Sequence, residues 1–435
     1  MSVDRRRFLQ TVGAATMAAT LPARSTLCAG EAGGDPSSEP ADYTIHIGAG
    51  PVELAPDHIV STTVYNGQFP GPLIRFKEGQ RAIVDIYNDT DVPELVHWHG
   101  QMIPSDVDGA FEEGSPFVPA RGMRRVAFVP RPAGFRFYHT HVPARADLNR
   151  GTYTALAGPV YIEPKHEAGA YDQEIFLVMK EFSPSFSRGG DMAMDMLAPG
   201  EPIKELKEIG GKADEETKGT PKGYEVSYEL FSINGKMLGA DEPIRVKEGE
   251  RVLLHVLNAS ATEIRSLALP GHVFRVVALD GNPVPTPADV PVLWLGTGER
   301  ISAILEMNHA GMFVLGDLSD DDRGHGMGIV IEYTGRKGKP QWVKPKPFRW
   351  DYTQFGKADV VGPADETIEM LIVKHNAAAN GFNLWTLNGE AFSMQTLRPL
   401  YRIEQGRRYR LKLRNASDDI HPLHLHRHSF ELVNV

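Results

Sequence analysis

Cysteine is almost missing from this chain: of its 435 residues, Cys28 is the only one. It lies in or beside an N-terminal segment that reads as an address, so the rest of the chain offers no thiol, no disulfide and no cysteine metal ligand. Long hydrophobic runs are missing too. The small apolar run "TVGAATMAAT" falls well short of the roughly 20 residues that a spanning helix needs. Nor is there a basic surplus. The net charge is −10, which argues against a nucleic-acid groove or an anionic membrane surface as partner.

What is present is ordinary globular material, 41% hydrophobic and 23% charged, and long enough for two to four domains. The 43 glycines and 32 prolines are more turn-formers than a helical protein tolerates and favour many short strands. At the N-terminus, "DRRRFLQ" (Asp4 to Gln10) ahead of the small apolar run resembles a twin-arginine export signal over residues 1–30. It predicts an exported protein, periplasmic or extracellular. "STLCAG" around Cys28 hints at a lipoprotein site, but Leu27 fits that pattern poorly.

One pattern occurs three times. "YNGQFPGPLIRFKEGQRAIVDIYNDT" (65–90) is echoed by "INGKMLGADEPIRVKEGERVLLHVLNAS" (233–260) and by "LNGEAFSMQTLRPLYRIEQGRRYRLKLRNAS" (387–417). Each begins Asn-Gly, passes an acidic-then-Gly or Gln-Gly turn, and runs an alternating strand into an asparagine. The turn glycine and the asparagine keep one spacing: Gly79 to Asn88, Gly249 to Asn258, Gly406 to Asn415. These repeats predict an all-β chain of three Greek-key β-sandwich domains over 43–165, 170–340 and 345–435. Residues 185–225 break the rhythm and read as a surface insertion. Its Met192, Met194 and Met196 suit a flexible loop or packing better than copper(I) binding.

Histidines ride on the repeat. Asn88 is followed nine and eleven residues later by His97 and His99, and Asn415 at the same offsets by His424 and His426. The middle repeat has Leu267 and Leu269 there. Residues two apart on a strand share a face, so each His-x-His pair converges. His139 and His141 make a third pair. A nitrogen-rich, oxygen-poor set of six imidazoles suits copper or zinc and argues against calcium or magnesium. His421 stands an odd number of residues from His424, across Pro422, and so predicts a second, separate metal position. His428 shares the parity of His426 but falls in a bend and reads as structural or as a support to a ligand, and the scattered histidines lack partners at ligand spacing.

In this order "HWHG", "YHTH" and "HPLHLH" resemble three of the four copper motifs of the multicopper oxidases, the laccase-like family, across essentially the whole chain after the signal. The resemblance implies three cupredoxin-type domains, with a trinuclear copper cluster between the first and last and a blue (type 1) copper in the last. It implies four coppers in a full-length protein, a small-molecule or metal-ion electron donor, and O2 as the acceptor reduced to water. Carried onto these positions, His97 and His424 hold the type 2 copper. His99, His139, His141 and His426 supply four of the six ligands of the paired type 3 coppers, and His421 binds type 1. Asp108, in "DVDG", matches an acid that relays protons; a solvated loop aspartate before a turn glycine reads almost as well.

Departures from the family pattern are explicit. Arg427 stands where the family has glycine between the last two histidines, and "GSPFVPARG" replaces a Gln-x-Pro-Ile turn. The fourth motif, His-Cys-His, is absent. By repeat symmetry it would fall beyond Val435, so the expectation is a third domain that is incomplete here, in a fragment of a longer oxidase. If the chain instead ends at 435, copper handling without oxidase activity is the alternative. In the first domain the position equivalent to the missing cysteine is Thr140, which excludes a blue copper there.

Overall fold

The computed structural model describes residues 39–165, 169–187, 223–357, 362–379, 381–391, 393, 400–417 and 419–434. The export signal over 1–30, Cys28, Met192, Met194 and Met196 lie outside them. The described chain is predominantly strand and turn, arranged as three successive β units. In the first unit, four strands (His58–Tyr65, Tyr43–Ala55, Ala82–Asn88, Gly122–Phe128) form one sheet. Four others (Ile74–Lys77, Ala157–Glu163, Gly134–Thr140, Val96–His99) form a second. The second unit carries a six-stranded and a five-stranded sheet, and the third one four-stranded sheet among the described residues. No described helix is long and apolar enough to cross a membrane.

The three sequence repeats become one device used three times. Each repeat strand runs parallel to the first strand of its unit: Ala82–Asn88 with Tyr43–Ala55, Arg251–Asn258 with Gln173–Phe182, and Tyr409–Ala416 with Glu366–Ala379. The Asn-Gly turns adopt positive φ at both residues, as at Asn66 (52°) and Gly67 (70°). Each turn asparagine then clamps that first strand. Its Oδ1 accepts from His46, Val178 or Leu371 N–H, and its Nδ2 donates to the carbonyl two residues earlier, of Thr44, Phe176 or Glu369. The strand-ending asparagines also act alike. Asn88, Asn258 and Asn415 donate to carbonyls four or five residues on, at Val92, Glu263 and Asp419. These amides brace the connection that leads to the next strand.

Burial separates the third unit from the others. The strands Ala82–Asn88 and Arg251–Asn258 are buried along nearly their whole length, because a second sheet covers their apolar face. In Tyr409–Ala416 the same alternation leaves Leu411 and Leu413 38% and 49% exposed, and no described sheet covers them. The first core gathers Phe76, Trp98, Phe128 and Tyr138. A further apolar cluster, including Leu54, Phe69, Phe135, Phe137, Phe182 and Leu257, joins the first unit to the second. Burying such aromatic surface is the main stabilising term for that junction. It also fixes the strand Gly134–Thr140, which carries His139.

Candidate metal centre

The centre begins with strand register. Val96–His99 pairs antiparallel with Gly134–Thr140 so that His97 lies opposite His139. Trp98 turns into the first core, fully buried, and its two neighbours turn the other way. His141 follows just after the end of its strand, while Thr140, facing opposite to it, donates its hydroxyl to Glu94 Oε1 at 2.6 Å. In the middle unit, Leu267 and Leu269 occupy the equivalent positions and are buried in that unit's core. Apolar packing has taken the place of ligation there.

The third unit delivers His424 and His426 differently from the strand expected of them. Residues 421–425 have no regular secondary structure and pair with no strand, and a turn falls at His426 and Arg427. Among the described residues no neighbouring strand offers it a ladder. Both rings nonetheless reach the first unit. His424 stacks on His99, with ring centres 3.7 Å apart, and His426 stacks on His97 at 4.2 Å. His97 Nε2 lies 3.4 Å from His424 Nε2, and His99 Nδ1 lies 3.2 Å from His139 Nε2. The rings of His141 and His426 are 5.0 Å apart. Six imidazoles thus form one cluster, those of the third unit lying more than 280 residues along the chain from those of the first.

Hydrogen bonds select which nitrogen each ring presents. His97 Nδ1 donates to the Asp108 carbonyl at 2.8 Å, His139 Nδ1 to the Thr140 carbonyl at 2.7 Å, and His426 Nδ1 to Asp108 Oδ2 at 3.0 Å. In each, Nε2 keeps its lone pair for another partner. Burial depresses the pKa values of His97, His99, His139 and His424, and lowers that of His141 to about 3. All five are neutral at pH 7, as metal ligands must be. Burial alone would raise the Asp108 pKa, but hydrogen bonds from His426 and His97 outweigh it and hold the carboxyl well below its usual range. Asp108 is therefore an anion beside the cluster, with Oδ1 buried and unbonded.

This donor set fits copper: imidazoles predominate, with closely opposed ring nitrogens that a cation would reconcile, and carboxylate oxygens come near only at His426, from Asp108 and Glu113. His97, His424 and His426 form one group whose nitrogens could share an ion, and His97, His99 and His139 form another. His421 stands apart. Its ring lies 4.0 Å from that of Trp385, and it completes no such group among the described residues. His428 Nδ1 donates to the His426 carbonyl at 2.9 Å and holds the turn.

Asp108 is positioned by its neighbour. Gly109 has φ 94°, and a Cβ there would lie 2.0 Å from the Val96 carbonyl oxygen and 2.5 Å from His97 Cα. Gly109→Ala should therefore push the Asp108 loop off the His97 strand. Loss of at least about 2 kcal/mol is expected, together with weakened copper retention, read by urea unfolding and metal analysis. Wild-type behaviour in both would remove this role.

Several residues of the centre were not legible in the sequence. The ligand-free second unit lines its back. Arg300, buried, donates to the Gly298 carbonyl at 2.8 Å and lies 5.4 Å over the Phe137 ring. Arg136 is buried across the same junction and binds Asn282 Oδ1 at 2.9 Å. Neither arginine carries a local motif; only the fold places them behind His99. Glu112 and Glu113 border the front. Their one sequence signal is an acidic pair directly after "DVDG".

A cluster of six imidazoles shared by the first and third β units, with His97 and His99 buried at its centre, is a donor set suited to copper. Profiles described as multicopper oxidase match residues 48–167, 208–330 and 363–435, and the chain belongs to the multicopper oxidase family, with three cupredoxin-type domains. It is 27% identical over 395 residues to the multicopper oxidase MmcO of Mycobacterium tuberculosis, covering 87% of this chain and 73% of that protein. To copper resistance protein A of Pseudomonas syringae pv. tomato it is 25% identical, over 70% of this chain and 52% of that one. To laccase-3 of Thanatephorus cucumeris it is 28% identical, over 61% and 45%. The chain thus spans about half the length of the latter two. Among solved structures, a multi-copper oxidase from Pseudomonas thermotolerans shares the fold with a TM-score of 0.56, at 23% identity over 86% of this chain and 82% of that one.

Proposed function

We propose that this protein withdraws electrons one at a time from small-molecule or metal-ion donors and delivers them to O2, which is reduced to water. The observation that carries this reading is the meeting of six imidazoles from two domains, with ring nitrogens as close as 3.2 Å. Copper held by His97, His99, His139, His141, His424 and His426 supplies the one-electron redox chemistry that O2 reduction requires. The protein's own residues do the rest. Burial holds His97 and His99 in their neutral form and shields them from bulk water. Asp108 stays an anion whose unbonded Oδ1 is placed to take up a proton transiently and pass it inward while Oδ2 accepts from His426. His421, beside Trp385, is proposed as a ligand of the separate copper that receives the donor's electron. The relatives' names, laccase and copper resistance protein, support phenolic or other organic donors and metal ions alike. Arg5, Arg6 and Arg7 ahead of Phe8 and Leu9 support export of the folded protein.

A second reading, copper handling without O2 reduction, is favoured by one observation: no cysteine follows Cys28, so these 435 residues offer a blue copper no thiolate. An oxygen electrode separates the two. The copper-loaded chain with a phenolic donor should consume one O2 for every four electrons withdrawn. Copper retained without oxygen uptake would leave the handling reading; no copper retained would sink both.

A further inference from the structure

Beside the cluster, one short turn holds two consecutive carboxylates, each next to a different ligand. Phe111–Glu113 is a single 3-10 turn, closed by Gly114 at φ 107° and pinned by the Phe111 ring against Phe117, 4.9 Å away. Successive residues of such a turn point in different directions. Glu112 Oε1 accordingly lies 3.8 Å from His141 Nδ1, and Glu113 Oε1 lies 3.5 Å from His426 Nδ1. Arg427, which departs from the family glycine, closes the arrangement. Its Nε and Nη2 donate to Glu113 Oε2 at 2.9 and 2.6 Å. His141 Nδ1 and Glu112 Oε2 are both buried and have no hydrogen bond.

We infer that Glu112 and Glu113 form a carboxylate clasp that orients His141 from the first domain and His426 from the third, with Arg427 setting its position. The inference rests on the copper reading above. A histidine that binds a metal through Nε2 needs an acceptor for its Nδ1–H, which fixes the tautomer and raises the basicity of the ligand. For His97 and His139 backbone carbonyls meet that need, at Asp108 and Thr140. His141 has no carbonyl partner at Nδ1, and Glu112 is the carboxylate facing it. His426 shares Asp108 with His97 and therefore gains a second acceptor in Glu113. Because Glu113 also binds Arg427, next to His426 in the chain, the clasp ties the third domain to the first at the ligands themselves. Glu112 and Glu113 are positioning residues: they act through the two histidines.

The test uses the full chain and its Glu112→Gln, Glu113→Gln and Arg427→Gly variants, loaded with copper alone. Copper affinity is measured by chelator competition, the type 2 copper by its paramagnetic resonance signal, and the metal-free fold by thermal unfolding. The two glutamine variants should lose about ten- to a hundredfold in affinity for copper at the His141/His426 side. Their metal-free melting temperature and the type 2 signal of His97 and His424 should stay unchanged, and Glu113→Asp should recover part of the loss. Arg427→Gly should fall between Glu113→Gln and wild type. Wild-type affinity in both glutamine variants would overturn the clasp while leaving the copper reading intact. A loss that tracks a lower metal-free melting temperature would overturn it as well, in favour of plain structural support. A wild-type chain that binds no copper would instead overturn the copper reading, and the clasp with it.

Discussion

Replacing His97 and His424 together by alanine should abolish the type 2 copper signal, lower the copper content by about one ion per chain, and cut oxygen reduction more than about a hundredfold. That figure is a floor, because changing mere outer partners of ligands already costs about ten- to a hundredfold. The two rings meet through Nε2 atoms 3.4 Å apart, one from each end domain. Removing them therefore deletes a joint as well as two ligands. The ring stacks of His424 on His99 and of His97 on His426 disappear with them. His97→Ala alone also frees the Asp108 carbonyl, buried and then without its donor. His424→Ala alone leaves that bond in place and so separates the two effects. If the copper content and paramagnetic signal of the double variant match wild type, these two histidines are not the type 2 ligands.

The metal-free protein should lose stability steeply as pH falls below about 6.5. In the unfolded chain each histidine protonates near its ordinary value of about 6.5, whereas the fold holds His97, His99, His139 and His424 lower and His141 at about 3. Between the depressed values and 6.5 the unfolded state binds more protons than the folded one. The stabilisation is thus fully present above about pH 6.5 and is lost as the pH drops. The buried His97 and His99 carry most of this effect, and the exposed His424 carries little, because water screens its charge. Glu263 and Glu299 work in the opposite direction. Burial raises both to about 7, so their contribution is lost as the pH rises from about 4.5 towards 7. Burial also raises Glu94 and Asp322, but these start from lower values and oppose the imidazoles less over this range. Urea midpoints of chelator-treated protein should fall markedly between about pH 7.5 and about pH 5.5. A flat profile over that range would contradict the neutral, desolvated cluster.

How much of this the sequence disclosed follows from what kind of contact each feature needs. The repeats were legible because local chemistry makes them. An Asn-Gly turn and a strand-ending asparagine carry their hydrogen bonds within their own unit, as Asn66 and Asn88 do. The faces of His97 and His99 were legible from the two-residue period of a strand. Leu267 and Leu269 likewise announced a middle unit without ligands. The strand rule failed in form for His424 and His426, which converge on the first domain from an unpaired segment; their target, rather than a ladder, sets their direction. Ring-nitrogen choice was illegible, because it depends on acceptors such as the Asp108 carbonyl, brought in by a turn. So were Arg300 and Arg136, whose roles exist only at a junction between units. Glu112 and Glu113 show the same limit: an acidic pair in a loop acquires meaning only when His141 and His426 arrive beside it.

The central claim is that six histidines from the first and third domains hold one shared copper cluster. Copper per chain, determined on the purified, copper-loaded protein beside variants lacking one pair each (His97/His424, His99/His139 and His141/His426), tests it most directly. The account predicts about three ions in the cluster and a loss of about one or more with each pair, including pairs whose members lie in different domains. A copper content that ignores any of the three pairs, or that survives removal of the third-domain histidines, would contradict it.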